Sequence, residues 1–332
     1  MVLIEGNNGT GKSTLLEAIY YSCFLRSNRT HLPQELVAFD ADNFFICSHI
    51  SQQEFLIQHE LTVGFYNKCR SVKLNQQAIG SYKQLSEVLR VVMFSEFDLA
   101  LITGSPEERR SFIDQALILL DVGIVALFRS YRHVLEQRKK LLTNSNCSFE
   151  LYAAWTKQMW HMTQEIQRQR KNHIEELKAE MQQLCEQYFG SEYSFSMKYI
   201  QKLPSEDTFD DFFINGKKLF EREVYAQRPL FGAHLDDFQI LFFQRRSRAF
   251  ASRGQQKLLV LLLKIAQVKV LQRKKGSCIL LLDDFLTDFD VQKMEKFILL
   301  LQSLKCQVFL TTPLKESPLH SIIGENAQQI AL

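Results

Sequence analysis

The sequence predicts an α/β protein whose sheet-bearing lobe, built from both ends of the chain, is interrupted by a helical insertion. Three observations predict it. A glycine-rich stretch at residues 6–13 lies between a short apolar run and a stretch with apolar positions at helical spacing. Near the other end, SCILLLDDF (277–285) and CQVFLTT (306–312) are continuous apolar runs, as expected of parallel strands covered on both faces. Between about residues 106 and 188 the pattern is helical almost throughout. The expected division is a discontinuous lobe over 1–105 and 204–332, with the insertion at 106–203.

Taken in order, Val2–Glu5 reads as a strand and STLLEAIYYSCFL (13–25) as the helix that follows the glycines. Residues 43–74 are rich in Phe, Ile, Val and Tyr broken by polar clusters, which predicts several antiparallel strands. Val91–Phe94 is a further short strand. PEERRSFIDQALILL (106–120) opens with Pro and early acids, both helix-start signals. The helical pattern breaks at TNSNCS (143–148) and resumes to about Tyr188. Within it Ile166, Ile174, Leu177, Met181 and Leu184 mark one face, which suits a packed helix or a short coiled-coil pair. FQILFF (238–243) reads as a strand of the returning lobe, and RGQQKLLVLLLKIAQVKVLQ (253–272) as a long buried helix.

Composition excludes more than it assigns. At 332 residues and 46% hydrophobic, the chain suits two domains or one large one with an insertion. A formal net charge of +3 names no partner, so nucleic-acid binding would have to come from local basic patches. Seven scattered cysteines without a C-x-x-C read as reduced core thiols rather than a disulfide framework or zinc site. No apolar run approaches a membrane span and no secretory signal is visible, so a cytoplasmic protein with no membrane partner is expected.

Four motifs carry the chemistry. Gly6-Asn7-Asn8-Gly9-Thr10-Gly11-Lys12-Ser13 fits G-x-x-x-x-G-K-[ST], followed by Thr14. Backbone N–H groups freed by the glycines and the positive end of the next helix favour a phosphate chain. Lys12 is expected to reach the β- and γ-phosphates of ATP, and Ser13 to ligate Mg²⁺. ILLLDDF supplies Asp283 as a second Mg²⁺ ligand and Asp284 to orient or deprotonate the attacking water. Ser252-Arg253-Gly254-Gln255 heads the long helix, either as a simple N-cap or as an anion site for the ATP of a second subunit. TDFD (287–290) follows the acids, where Asp290 is either part of a simple turn or the candidate for a loop crossing a dimer interface; Thr311 or Thr312 either merely ends the next strand or approaches the γ-phosphate. A helix-head motif shortly before the paired acids, with a long insertion after the phosphate loop, is the order of ABC-type ATPases.

Over essentially its whole length the chain resembles the RecF family, bacterial recombination-repair ATPases related to SMC-type heads. GNNGTGKSTLLEAIYY, FSEFDLALITGSPEERRSFIDQAL, YRHVLEQRKKLL, GAHLDDFQI, SRGQQKLLVLLLKIAQ and LLLDDFLTDFD carry the resemblance, and GSPEERRSFID (104–114) discriminates most. The resemblance implies an ATP-dependent homodimer that binds single-stranded, gapped and duplex DNA, with slow DNA-stimulated ATP turnover. It also implies RecO and RecR homologues as partners and assistance to RecA loading. The chain departs from the family at Ala233 and Leu235 of GAHLDD, at Asn28 of RSNR, and at Arg253 of SRGQ. The family pattern further implies roughly thirty residues ahead of the phosphate loop, forming first strands and helping to seat the adenine. Either the start at Met1 is misplaced or those strands have been lost; a misplaced start is expected, because a buried sheet missing its neighbours exposes unpaired backbone.

Arg26, Arg29, Arg109 and Arg110 are the first candidates for DNA phosphate contact. Arg138/Lys139/Lys140, Arg168/Arg170/Lys171, Arg245/Arg246/Arg248 and Arg273/Lys274/Lys275 extend the set. No base-reading motif is present, which predicts little sequence preference and strong salt dependence. The competing reading is an ABC-type ATPase switch module unrelated to DNA.

Overall fold

A computed structural model describes residues 1–30, 32–52, 57–80, 82–144, 148–190, 195–202, 208–243, 245–285, 289–312, 323 and 327–332. The chain forms two compact units. The first comprises Met1–Leu99, Glu180–Glu192 and Ser252–Leu332; the second comprises Ala100–Ala179 and Tyr193–Ala251.

Strand β1 (Val2–Glu5) runs into helix α1 (Lys12–Phe24), followed by strands β2 (Phe44–Gln52), β3 (Ile57–Tyr66), β4 (Cys69–Leu74) and β5 (Gln77–Ala78). Helix α2 (Tyr82–Val88) and strand β6 (Val91–Phe94) come next, then helices α3 (Ala100–Thr103), α4 (Pro106–Leu120), α5 (Ile124–Leu142) and α6 (Phe149–Tyr188). Strand β7 (Phe195–Ile200), helices α7 (Phe209–Phe213) and α8 (Gly216–Ala226), strands β8 (Asp237–Phe242) and β9 (Arg245–Arg246), and helix α9 (Ser247–Phe250) follow. The chain closes through α10 (Arg253–Lys275), β10 (Ile279–Leu282), α11 (Val291–Gln302), β11 (Gln307–Thr312) and β12 (Gln328–Ala331).

The first unit holds a five-stranded sheet in the order β12-β1-β11-β10-β6. Each of its strand pairings is parallel. Continuous apolar runs are what such strands require, and Val2–Ile4, Val91–Phe94 and Leu280–Leu282 are all buried. β1 is paired on both edges, with Leu3 opposite Leu310 on one side and Gln329 on the other. β11 and β12, both from the far end of the chain, flank it. α10 is buried nearly all round from Lys257 to Leu271, as an apolar helix must be. It stops at Gly276, whose φ of 78° ends the helix, with Arg273, Lys274 and Lys275 in the last turn facing its negative end. A separate antiparallel sheet, β2-β3-β4-β5, accounts for the Phe- and Ile-rich stretch. Cys23, Cys185 and Cys278 are buried and in no disulfide; Cys47 and Cys69 are exposed, so the expectation of core thiols holds for only part of the set.

The second unit is not purely helical. β8 was expected in the first lobe, yet it pairs antiparallel with β7 and β9, and residues 204–251 join the second unit through that sheet. α4 begins with a capping box between Ser105 and Glu108, Pro106 holding its first position. The apolar stripe of α6 is buried, from Ile166 to Leu184. Tyr131, Val134, Met159, Trp160 and Phe231 form the core between α5, α6 and the segment before β8.

Charges inside this core correct the reading of the basic clusters. Arg138 is fully buried, its guanidinium between the Tyr152 and Phe231 rings at 5.0 and 4.8 Å. It donates to Glu223, also fully buried, at 2.6 Å, and Glu223 accepts in addition from the Tyr152 hydroxyl and the Leu230 N–H. Arg170 is likewise buried, held by both oxygens of Asp114 and by the Ala233 carbonyl. Neither side chain is on an outer face available to a phosphate.

Asp236 and His234 of GAHLDD close the hub. The Asp236 carboxylate accepts from Gln167, the Tyr199 hydroxyl and the Lys202 N–H. His234 is hydrogen-bonded to the Tyr131 hydroxyl at 2.8 Å, and burial beside Lys139, Arg110, Arg138 and Arg170 lowers its pKa to about 4. Two predictions arise here. Glu223→Gln, which leaves the Arg138 guanidinium buried without its counter-charge, should cost about 3–5 kcal/mol in urea denaturation, and Arg138→Met with Glu223→Leu should recover most of it. His234 is neutral when folded, so its stabilisation is complete above the ordinary value of 6.5 and lost as pH falls towards 4. Across that window wild type should lose up to about tenfold in the folding constant per pH unit relative to His234→Gln, measured by denaturation at stepped pH.

Candidate functional site

The loop after β1 is shaped by its glycines. Gly9 and Gly11 have φ of 88° and 100°, a region costly for residues with a Cβ, and Gly11 caps α1. A side chain at Gly6 would come within 2.6 Å of Thr10 Oγ1 and 2.7 Å of the Leu332 carbonyl. Asn7, Asn8, Gly9 and Thr10 form the exposed crest, where Thr10 is pinned by N–H and hydroxyl bonds to the Asn7 carbonyl. Lys12 is buried within the loop, its Nζ donating to the carbonyls of Gly6 at 2.7 Å and Asn7 at 2.9 Å.

Ser13 and Asp283 are 270 residues apart in sequence and meet, Ser13 Oγ donating to Asp283 Oδ1 at 2.9 Å. The strand between theirs supplies the next contact. Thr311 Oγ1 donates to the same Asp283 oxygen at 2.8 Å and accepts the Asp284 N–H at 3.0 Å. Thr311 thus steadies the paired acids from behind, where the sequence reading aimed it at a phosphate. Asp284 adopts a left-handed backbone with φ of 45°, rare for a residue with a side chain. Burial and the neighbouring Asp283 raise its pKa, opposed by Lys12 and Lys257.

Arg29 belongs to this site as well. Its guanidinium lies 3.6 Å from Asp283 Oδ2, with the side chain 39% exposed. The turn carrying it is organised by Ser27, whose hydroxyl is bonded to Glu17 and accepts the N–H groups of Arg29 and Thr30. A sequence of basic pairs gave no hint of that neighbour. Beside the loop a cleft of about 570 Å³ is lined by Thr14, Glu17, Tyr21, Arg29, Phe44 and Ile46, and the buried Tyr21 hydroxyl has no hydrogen-bond partner there.

The remaining candidates fall in other places. Ser252 caps α10, accepting the Gln255 N–H while the Gln255 side chain accepts the Ser252 N–H. Ser252 and Arg253 are nevertheless exposed, so the head of this helix faces outward; Gly254 and Gln255 are half-buried. Asp290 caps α11 through the Lys293 N–H and pairs with the Lys293 ammonium at 2.6 Å. Thr287 and Asp288 lie outside the described residues. Arg26 is exposed just past α1. Arg109 and Arg110, candidates for DNA contact, are half-buried and bonded within the fold. Arg109 grips both oxygens of Asp237 at 2.7 and 3.0 Å, and Arg110 donates to the Asp236 carbonyl at 2.7 Å. The discriminating GSPEERRSFID block thus spends its arginines on holding α4 to the start of β8.

A parallel sheet with a glycine loop on one strand and paired acids two strands away, joined through a helix-start serine, defines an ABC-type ATPase head. The chain belongs to the RecF/RecN/SMC N terminal domain family, whose model matches residues 1–322. It is 27% identical over 328 residues to the DNA replication and repair protein RecF of Natranaerobius thermophilus, covering 94% of this chain and 85% of that one. To the RecF of Clostridium novyi it is 29% identical over 300 residues, covering 89% and 81%. A solved structure of the recombination mediator protein RecF with ATP, in the RecFOR pathway, superposes with a TM-score of 0.83 at 25% identity, over 95% of this chain and 86% of that one.

Thr311→Val removes the bridge between the two acids without changing side-chain size. ATP turnover should fall by about tenfold or more, with nucleotide affinity within about twofold of wild type. Single-turnover hydrolysis and equilibrium nucleotide titration check it.

Proposed function

We propose that this protein is an ATP-dependent DNA-binding ATPase of recombinational repair and replication restart, working as an ATP-closed homodimer. The observation that carries the reading is the meeting of Ser13 with Asp283 at the mouth of the glycine loop. One hydroxyl and one carboxylate are hard oxygen donors and suit Mg²⁺, which keeps most of its shell for water and phosphate oxygens. Ser13 and Asp283 would hold such an ion, which would supply charge neutralisation to the phosphates. Among the described residues no group of three or more His, Cys, Asp or Glu side chains is placed to hold a metal, so the phosphates would complete the set.

In this reading Gly6–Thr14 cradle the triphosphate and Lys12 turns from the loop carbonyls to the β- and γ-phosphates. Asp284, whose ionised form is disfavoured by burial beside Asp283, takes the proton of the attacking water. Arg29 adds a cation where charge accumulates. The cleft beside Thr14 and Phe44 receives the ribose and base. The exposed head of α10, Ser252 to Gln255, presents N–H groups and Arg253 to the triphosphate of a second copy, with Asp290 at the same seam. DNA then meets basic side chains that remain exposed, Arg26, Lys139, Lys140, Arg245, Arg246 and Arg248 among them. RecO and RecR homologues, and through them RecA, are the partners this assignment brings. The engagement of Arg109, Arg138 and Arg170 with acids favours a second reading, an ABC-type switch without a DNA ligand.

Lys12→Ala should abolish ATP binding, whereas Ser252→Arg should keep ATP binding yet remain monomeric and lose ATP-dependent binding to gapped DNA. Nucleotide titration, sedimentation with and without ATP, and DNA anisotropy separate these outcomes. Normal dimerisation of Ser252→Arg sinks the trans site, and dimerisation of wild type without DNA binding selects the second reading.

A further inference from the structure

The first unit contains a buried cation that the phosphate chemistry does not use. Lys257 lies one turn into α10 with its side chain wholly buried. Its Nζ donates to Glu96 Oε1 at 3.0 Å and to the main-chain carbonyl of Asp284 at 3.2 Å. An ammonium taken out of water is costly unless its bonds are made, so an apolar side chain would serve packing alone better. Glu96, just beyond β6, also meets Arg253 at 3.3 Å. Arg253 and Lys257 stand four apart on one face of α10, and one carboxylate joins both. The ends of β6 and β10 and the head of α10 are thereby tied together at the main chain of Asp284.

That peptide needs holding. Asp284 has a φ of 45°, a conformation a non-glycine residue keeps only when its surroundings over-determine it. Thr311 fixes the turn at its N–H and Lys257 fixes it at its carbonyl. Release of either end lets the turn relax towards an ordinary conformation and swings the carboxylate away from the glycine loop.

We propose that Lys257, oriented by Glu96, is a positioning residue for ATP hydrolysis, holding the Asp284 turn so that its carboxylate faces the γ-phosphate. The inference rests on the role given to Asp284 above. It assigns Lys257 no contact with nucleotide, so its loss acts on the chemical step and leaves binding alone.

The test compares wild type with Lys257→Met, Lys257→Arg and Glu96→Gln, measuring kcat for ATP, KM and equilibrium ATP affinity. Lys257→Met should lower kcat about tenfold to hundredfold, the scale of a misplaced catalytic group, with ATP affinity unchanged. Lys257→Arg should recover part of that loss. Glu96→Gln, at a side chain 42% exposed and safe for folding, should lower kcat in the same direction, and the double variant should be no worse than Lys257→Met alone. Unchanged kcat in Glu96→Gln and Lys257→Met, or loss of affinity in proportion to kcat, overturns the proposal. Should Lys257→Met fail to fold, the kcat of Glu96→Gln decides by itself. A wild-type protein that binds but never hydrolyses ATP would instead remove the role of Asp284, and this proposal with it.

Discussion

The nucleotide site depends on the parallel pairing of β11 with β1 on one side and β10 on the other. Ile4 stands opposite Thr311 and Leu282 opposite Leu310, so all three strands deliver their ends to one level. At that level β1 releases the glycine loop, β10 releases the two acids, and β11 contributes a hydroxyl that touches both acids. A slip of one residue in either pairing would turn Thr311 to the opposite face and part the acids from Ser13. The carboxyl ends of parallel strands are where ligands bind in open α/β sheets, and the geometry here follows that rule through side-chain bonds as well as topology.

Charge is handled differently in the two units. The first leaves its cations around the acids, with Lys12, Arg29 and Lys257 each bonded to backbone carbonyls or to a single carboxylate. The second engages Arg109, Arg110, Arg138 and Arg170 within its fold, each matched to an acid or a carbonyl. A buried ion pair of this type adds little net stability over an apolar pair, yet breaking it is costly. The pair joins α5, which carries Arg138, to α8, which carries Glu223.

Much of the architecture was legible because its signals are local. The glycine loop, the helix after it and the apolar strands at both ends each declare themselves within a dozen residues. β8 was misplaced although a local signal existed. In DFQILF the buried residues alternate, Phe238, Ile240 and Phe242, which marks a strand covered on one face, unlike the unbroken ILLL of β10. The arginines were a harder case. Nothing near Arg138 separates it from Lys139 and Lys140, because its partner Glu223 is 85 residues away. The same holds for Arg29, which meets Asp283 only once the sheet has formed. Lys257 was equally hidden, but a charge set directly before the apolar run Leu258–Leu263 is itself the signal that could have found it.

Strain at Asp284 connects these points. A left-handed non-glycine residue costs on the order of 1–3 kcal/mol, which the fold must offset elsewhere. Here the offset is visible: Thr311 from β11 bonds one side of the peptide and Lys257 from α10 the other. Both contacts come from elements that the sheet and the buried helix fix independently of any ligand. In the role proposed for Asp284, holding the acid before substrate arrives would remove the reorganisation otherwise needed during the reaction. The same contacts make the turn sensitive to the exposed head of α10, since Glu96 serves Lys257 and Arg253 together. A second copy that drew Arg253 towards its own triphosphate would therefore change the electrostatic load on Lys257 through the carboxylate they share at Glu96.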